Sequence, residues 1–188
     1  MWAMKKKSNG TFRARVNARG YEQVAGKHYD ATSIAAPVTS GTTIRIVLTL
    51  LIMASWYGEL LDVKGAFLHG DFEEGEALYM EIPEGFRNRY PIGWVVLLLK
   101  TLYGLKQAAV AFWKQLIKAC ASMEFMRSKA DPCLYYTWNS HGLIVWISWV
   151  DDCLVVGKKA GVLEAKQQMM DRFDCDEIGN MDKYVGCK

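Results

Sequence analysis

The chain has 188 residues, 51% hydrophobic and 23% charged, which supplies a core and excludes compositional disorder. Its net charge of +3 is mild, but the charge is uneven: Lys5, Lys6, Lys7, Arg13, Arg15 and Arg19 fall in the first twenty positions with no acid among them. That pattern reads as a solvated basic face or as a contact for a polyanion.

Cys120, Cys133, Cys153, Cys175 and Cys187 are odd in number and never spaced as CxxC, which argues against a disulfide framework or structural zinc and for a reducing compartment. His28, His69 and His141 form no local metal pattern and read as surface or turn residues. The longest charge-free apolar run, "IVLTLLIMASWYG", is too short to cross a bilayer. "MWAMKKKSNG" lacks the apolar stretch of a signal peptide.

"WAMKKKSNGTFRARVNARG" predicts a basic β-hairpin turning at Ser8-Asn9-Gly10, where Asn-Gly supplies positive φ. Residues 20–40 predict a loop. Thr42 or Thr43 is the expected N-cap of a mostly buried helix over "TIRIVLTLLIMASWYG", ending near Gly58. Leu60 to Val63 reads as a short buried strand, and Gly65 to Gly70 as a turn or brief helix. "EALYMEIP" and "WVVLLLK" predict strands, the second buried, with "EGFRNRYPIG" a loop between them. "GLKQAAVAFWKQLIKACASMEF" has the clearest amphipathic pattern, with Leu105, Ala109, Phe112, Leu116 and Ala119 on one stripe. "CLYYTWN", "LIVWISWV" and "CLVVG" predict three further strands, "GVLEAKQQMMDRF" a helix and "MDKYVGC" a last strand. Helices alternating with hairpin-connected strands favour an α+β fold: an antiparallel sheet with helices on one face.

One stretch resists a purely structural reading. In "LIVWISWVDDCLVVG", Asp151 and Asp152 interrupt an apolar run at the tip of a predicted hairpin, where uncompensated carboxylates are costly and raise each other's proton affinity. An ordinary Asp-rich turn accounts for the pair alone. "LLDVKGAF" puts Asp62 at the end of another predicted buried strand, where it could instead be a cap. If the strands are neighbours, three carboxylates meet at one sheet edge, an oxygen-only donor set suited to Mg²⁺ or Mn²⁺ and to two-metal phosphoryl chemistry.

The order of blocks "GTFRARVNARGYEQ", "APVTSGTTIRIVL", "LLDVKGAFLHGDFEEGEALYMEIPEGF", "LLLKTLYGLKQAAVAFW", "SKADPCLY" and "SWVDD" resembles the reverse transcriptase domain of Ty1/copia-type LTR retrotransposons, across nearly the whole chain. The resemblance implies a right-hand polymerase core. Residues 1–58 would form a fingers-like subdomain of basic hairpin, loop and buried helix. Residues 59–188 would form a palm-like catalytic subdomain, with 93–125 supplying a strand and helix near the junction.

By position, the resemblance implies that Asp62, Asp151 and Asp152 are the catalytic carboxylates and hold two Mg²⁺ or Mn²⁺ ions, with Val63 in the metal set. Phe67 falls where an aromatic gate would exclude a ribose 2′-hydroxyl, and Gly65 and Ala66 fall where backbone N–H groups cradle a triphosphate. Arg15, with Arg13 and Arg19 beside it, matches the finger cation on the γ-phosphate, a role that suits a guanidinium. Tyr103, Lys106 and Gln107 would line the nucleotide side. Trp149, Val150, Gly104, Lys5, Lys6, Lys7 and Arg19 would face primer or template. The chain departs from the family pattern at Trp149, where Tyr is usual, at "AAV" after Gln107 and at "TSIAAPV".

The implied activity is RNA-directed DNA polymerisation from an RNA template, a DNA primer and dNTPs. It would take place beside integrase and RNase H domains of a Pol polyprotein serving DNA integration, in cytoplasmic virus-like particles. The residues alone also admit another carboxylate–metal enzyme, such as a nuclease or cyclase, or a silent fragment that binds nucleic acid without turnover.

Overall fold

The computed structural model describes residues 1–6 and 10–178. Lys7, the Ser8-Asn9 part of the expected turn, Cys187 and the strand expected at "MDKYVGC" lie outside the described residues. In chain order the elements are β1 (Trp2–Lys6), β2 (Phe12–Val16), α1 (Gly41–Met53), β3 (Tyr57–Val63), β4 (Tyr79–Glu81), β5 (Val95–Leu97), α2 (Ala108–Ser122), β6 (Met126–Arg127), β7 (Leu134–Asn139), β8 (Gly142–Trp149), β9 (Asp152–Gly157), α3 (Lys159–Met170) and β10 (Cys175–Glu177). They fall into two compact units, one of Met1–Ala36 with Phe67–Gln115, the other of Pro37–Ala66 with the chain from Leu116 onward. The grouping is not a cut at residue 58: α1 belongs with the sheet that contains β3.

The sheet unit is built on a six-stranded antiparallel sheet in the order β10-β3-β9-β8-β7-β6. Side chains alternate between its faces. Leu60, Leu154, Val156, Val145 and Ile147 point one way and bury Ile44 and Val47 of α1. Each such side chain contributes roughly 1.5–3 kcal/mol. Leu61, Val155, Trp146 and Ile144 are buried on the opposite face. There α3 lies against β8 so closely that a Cβ on Gly161 would come within 2.5 Å of Ile144 Cδ1. Helices therefore cover both faces, which corrects the one-face expectation. The central strands are apolar in both parities, the pattern of a sheet buried on two sides.

Helix α1 begins two or three residues earlier than expected. Ser40 is the N-cap, its hydroxyl accepting the Thr43 N–H at 3.1 Å, and the Ser40 N–H donates to Asp131 Oδ2 at 2.9 Å. The helix stops at Met53, well before Gly58. Ser55 turns to φ +50 and the N–H groups of Ser55 and Trp56 donate to Ile52 O and Leu51 O. This is a Schellman ending without its usual glycine, so the stop signal was missing and Tyr57 and Gly58 pass into β3.

In the hairpin unit, β1 and β2 pair antiparallel with Trp2, Met4 and Lys6 opposite Val16, Ala14 and Phe12, and with Ala3 and Lys5 opposite Arg15 and Arg13. The second set puts Lys5, Arg13 and Arg15 on one face. Strands β4 and β5 form a separate two-stranded ribbon. Val95 and Leu97 are exposed, so β5 is not the buried strand its composition suggested. Helix α2 buries Ala108, Ala111, Phe112, Leu116, Ala119 and Cys120, a stripe at spacings of three and four. Strands β6 and β10 were not expected from sequence. Among the described residues no helix is long and apolar enough to cross a membrane.

Candidate active site

Three strands of the sheet unit position the carboxylates. Asp62 is the penultimate residue of β3, and Asp152 opens β9 directly opposite it. Opposed residues of an antiparallel pair share a face, so both carboxylates extend the α1 side of the sheet beyond its apolar cluster. Asp151 lies in the turn between β8 and β9, where Trp149 pairs with Asp152 and leaves Val150 and Asp151 as the only loop residues. The turn is tied to β3 by the Val63 N–H, which donates to Asp151 O at 3.0 Å.

The turn carries strain. Val150 sits at φ +56, a conformation that β-branched residues rarely adopt. Positive φ at only the first central residue is the φ signature of a type II′ hairpin turn. Trp149 packs against the α1 cluster, which fixes the strand end from which the turn departs.

All three carboxylates are half-buried. Burial pushes the Asp152 carboxyl above its ordinary value, and the charges of Asp151 and Asp62 push it further. The donor chemistry and shared face suit a hard divalent cation. As placed, however, no group of three or more His, Cys, Asp or Glu side chains among the described residues is drawn together tightly enough to hold a metal ion.

Sequence reasoning missed β10. Its Asp176 stands opposite Asp62, so one row of side chains runs Asp176, Asp62, Asp152, Trp149 across four strands. Lys64 donates to both Asp174 and Asp176, each at 2.9 Å. The alternating acids in "FDCDE" were the available signal. Just past the strand, Gly65 takes φ +61 and leads into a single helical turn at Ala66–Leu68.

The hairpin unit gathers a second set. The Phe67 and Tyr103 rings lie 5.0 Å apart, tilted by 59°, and the Arg15 guanidinium sits 4.6 Å from the centre of the Tyr103 ring, within cation–π range. Backbone packing holds this stack. The Ala18 N–H donates to Tyr103 O at 2.7 Å, and a Cβ on Gly104 (φ +89) would meet Ala18 O at 2.3 Å. Gly104 thus serves a chain crossing.

Gln107 is buried at 6% exposure. It accepts from Gln23 Nε2 at 2.9 Å and donates to Glu76 Oε1 and His28 O at 3.0 and 3.1 Å. Its side chain braces the unit. Lys106 donates to the Tyr29 hydroxyl at 3.1 Å. Lys5, Lys6 and Arg13 are exposed on the hairpin, and Arg19 pairs with Glu22 at 3.2 Å.

Comparison with known proteins decides the family. The model of the family described as reverse transcriptase (RNA-dependent DNA polymerase) matches residues 1–188. The chain belongs to the reverse transcriptase family. Its curated relatives are Pol polyproteins of the Ty1/copia type. The retrovirus-related Pol polyprotein from transposon TNT 1-94 of Nicotiana tabacum is 36% identical over 194 residues, covering 100% of this chain and 14% of the relative. Those from transposons RE2 and RE1 of Arabidopsis thaliana are 32% and 31% identical, each covering 98% of this chain and 13% of the relative. This reverse transcriptase chain therefore spans about a seventh of the length of the polyproteins it resembles.

Proposed function

We propose that the chain is the fingers-and-palm core of a copia-type RNA-directed DNA polymerase, adding dNTPs to a primer 3′-hydroxyl. The observation that carries this reading is the cross-strand placement of Asp62 opposite Asp152, with Asp151 in the adjoining turn, in a chain of this family.

Asp62, Asp151 and Asp152, with Val63 beside them, would hold two Mg²⁺ or Mn²⁺ ions. When bound, such ions supply charge stabilisation for the attacking oxygen and the leaving pyrophosphate. The chain's own part is positioning. The II′-type turn at Val150 aims Asp151 and Asp152, and the Val63–Asp151 backbone bond keeps the turn in register with Asp62. Burial first, and then the charges of Asp151 and Asp62, raise the proton affinity of Asp152, and a cation among these carboxylates relieves both costs.

In the hairpin unit, Arg15 over Tyr103 offers a fixed guanidinium to phosphate. Phe67, held against Tyr103, supplies the flat ring that disfavours a 2′-hydroxyl. The face bearing Lys5, Arg13 and Arg15 follows nucleic-acid phosphates without reading bases, so binding weakens as salt rises. Template, primer and the other Pol domains are the partners of this reading.

The test is dNTP incorporation on poly(rA)/oligo(dT) by the chain and by an Asp151→Asn form, with Mg²⁺ or Mn²⁺. Incorporation by the first and its loss in the second is the expected result. Unchanged incorporation in the variant excludes the mechanism. Binding without incorporation by either form supports a nucleic-acid-binding fragment instead.

A further inference from the structure

Lys64 lies two residues beyond Asp62, immediately after β3 ends. Its backbone N–H donates to Asp174 O at 2.8 Å, and its ammonium reaches Asp174 and Asp176. Asp176 is the cross-strand partner of Asp62. The Lys64 side chain therefore runs along the carboxylate face, at the end of the row that includes Asp62 and Asp152.

A structural clasp for β10 explains this only in part. Strand β10 has a second and better buried tie, because Lys166, 12% exposed, bonds Glu59 and Glu177 at 3.2 and 3.0 Å. The Lys64 pairs are open to water: the lysine is 44% exposed and its partners 72% and 62%. Exposed pairs of this kind contribute little to stability and exchange partners readily. A polyanion approaching Asp62, Asp151 and Asp152 meets like charge, so a mobile cation on the same face has an electrostatic use that the clasp does not need.

We propose that Lys64 is a phosphate-binding residue, parked on Asp174 and Asp176 in the free chain and transferred to the polyphosphate of an incoming nucleotide at the carboxylate face. The ligand class is a linear polyphosphate, as in a nucleoside triphosphate or pyrophosphate. This rests on the polymerase reading for its role in synthesis, but not for the binding event itself. Lysine suits such a transfer because its ammonium is a point charge on a flexible stem, with no planar geometry to satisfy.

The test uses the whole chain with Lys64→Met, Lys64→Arg and the double variant Asp174→Asn/Asp176→Asn. Calorimetric titration with inorganic tripolyphosphate, in the presence of Mg²⁺, reads binding without turnover. Lys64→Met is expected to weaken tripolyphosphate by about tenfold, the loss of one charge-assisted contact, and Lys64→Arg to restore most of it. The double Asn variant, which removes both carboxylate charges beside the ammonium, is expected to bind as tightly as the parent or tighter.

On a primed template the same change raises the dNTP KM by a similar factor and leaves kcat within about twofold, because the contact exists before as well as during the reaction. Equal weakening by Lys64→Met and by the double Asn variant would show a clasp and overturn the proposal. So would a parent chain that does not bind tripolyphosphate. Extension with an unchanged dNTP KM in Lys64→Met overturns the proposal while the polymerase reading stands. Tripolyphosphate binding that depends on Lys64, in a chain that extends no primer, supports the phosphate site and removes the polymerase reading.

Discussion

Replacing Asp152 with Asn should make the metal-free chain more stable while abolishing incorporation. Asp62 and Asp152 are opposed across β3 and β9, which puts their side chains roughly 5 Å apart. At an effective dielectric constant between about 20 and 80, two unit charges at that distance repel by about 1–3 kcal/mol. Asp151 adds to this, and burial opposes ionisation of Asp152 as well. Asn keeps the shape and removes the charge. In a chain of this size each kcal/mol moves the melting temperature by about 2–4 °C.

Thermal unfolding followed by circular dichroism, at neutral pH in EDTA, should therefore show the variant melting several degrees above the parent. The raised proton affinity of Asp152 in the folded state means its ionisation costs stability above the folded pKa. That cost disappears as pH falls toward the unfolded value near 4, so the two curves should converge in acid. Millimolar Mg²⁺ or Mn²⁺ should raise the parent's melting temperature more than the variant's. A variant that melts at or below the parent in EDTA would show that the carboxylates do not repel as their register implies.

Asp131 behaves in the opposite sense. Burial pushes its carboxyl upward, but hydrogen bonds from Thr43, Ser40 and Cys133 outweigh burial and hold it below its ordinary value. Its stabilisation is present above the unfolded pKa and lost as pH falls through the depressed folded one. Asp131→Asn should cost about 2 kcal/mol at pH 7, and the cost should shrink as pH falls through the depressed folded value, read from denaturant midpoints along an acid series. Gly104→Ala places a Cβ 2.3 Å from Ala18 O at φ +89; the hairpin unit should lose protection in hydrogen exchange around residues 17–20 and 103–104, and a variant with unchanged protection would contradict the tight crossing. Lys166→Met leaves Glu59, 17% exposed, without its cation. It should destabilise by roughly 2–4 kcal/mol, with earlier exchange at β10, whereas a change within 0.5 kcal/mol would mean that Glu59 is screened by water.

Family membership, the element types along most of the chain and the acidic tip of the hairpin were legible in the residues alone, because periodicity, turn residues and motif order are local properties. The strands around Asp151-Asp152 and the amphipathic α2 were legible in this way. Tertiary structure decided what local signals do not encode. Helix α1 ends on a serine in a left-handed turn, and β5 is exposed although its composition is apolar. Helices cover both sheet faces, and β10, with its acidic side chains, pairs against Asp62. Each depends on which distant segment supplies a hydrogen-bond partner or covers a face. Only the fold sets that pairing, since a strand of three residues gains its stability from its neighbour and not from its own sequence.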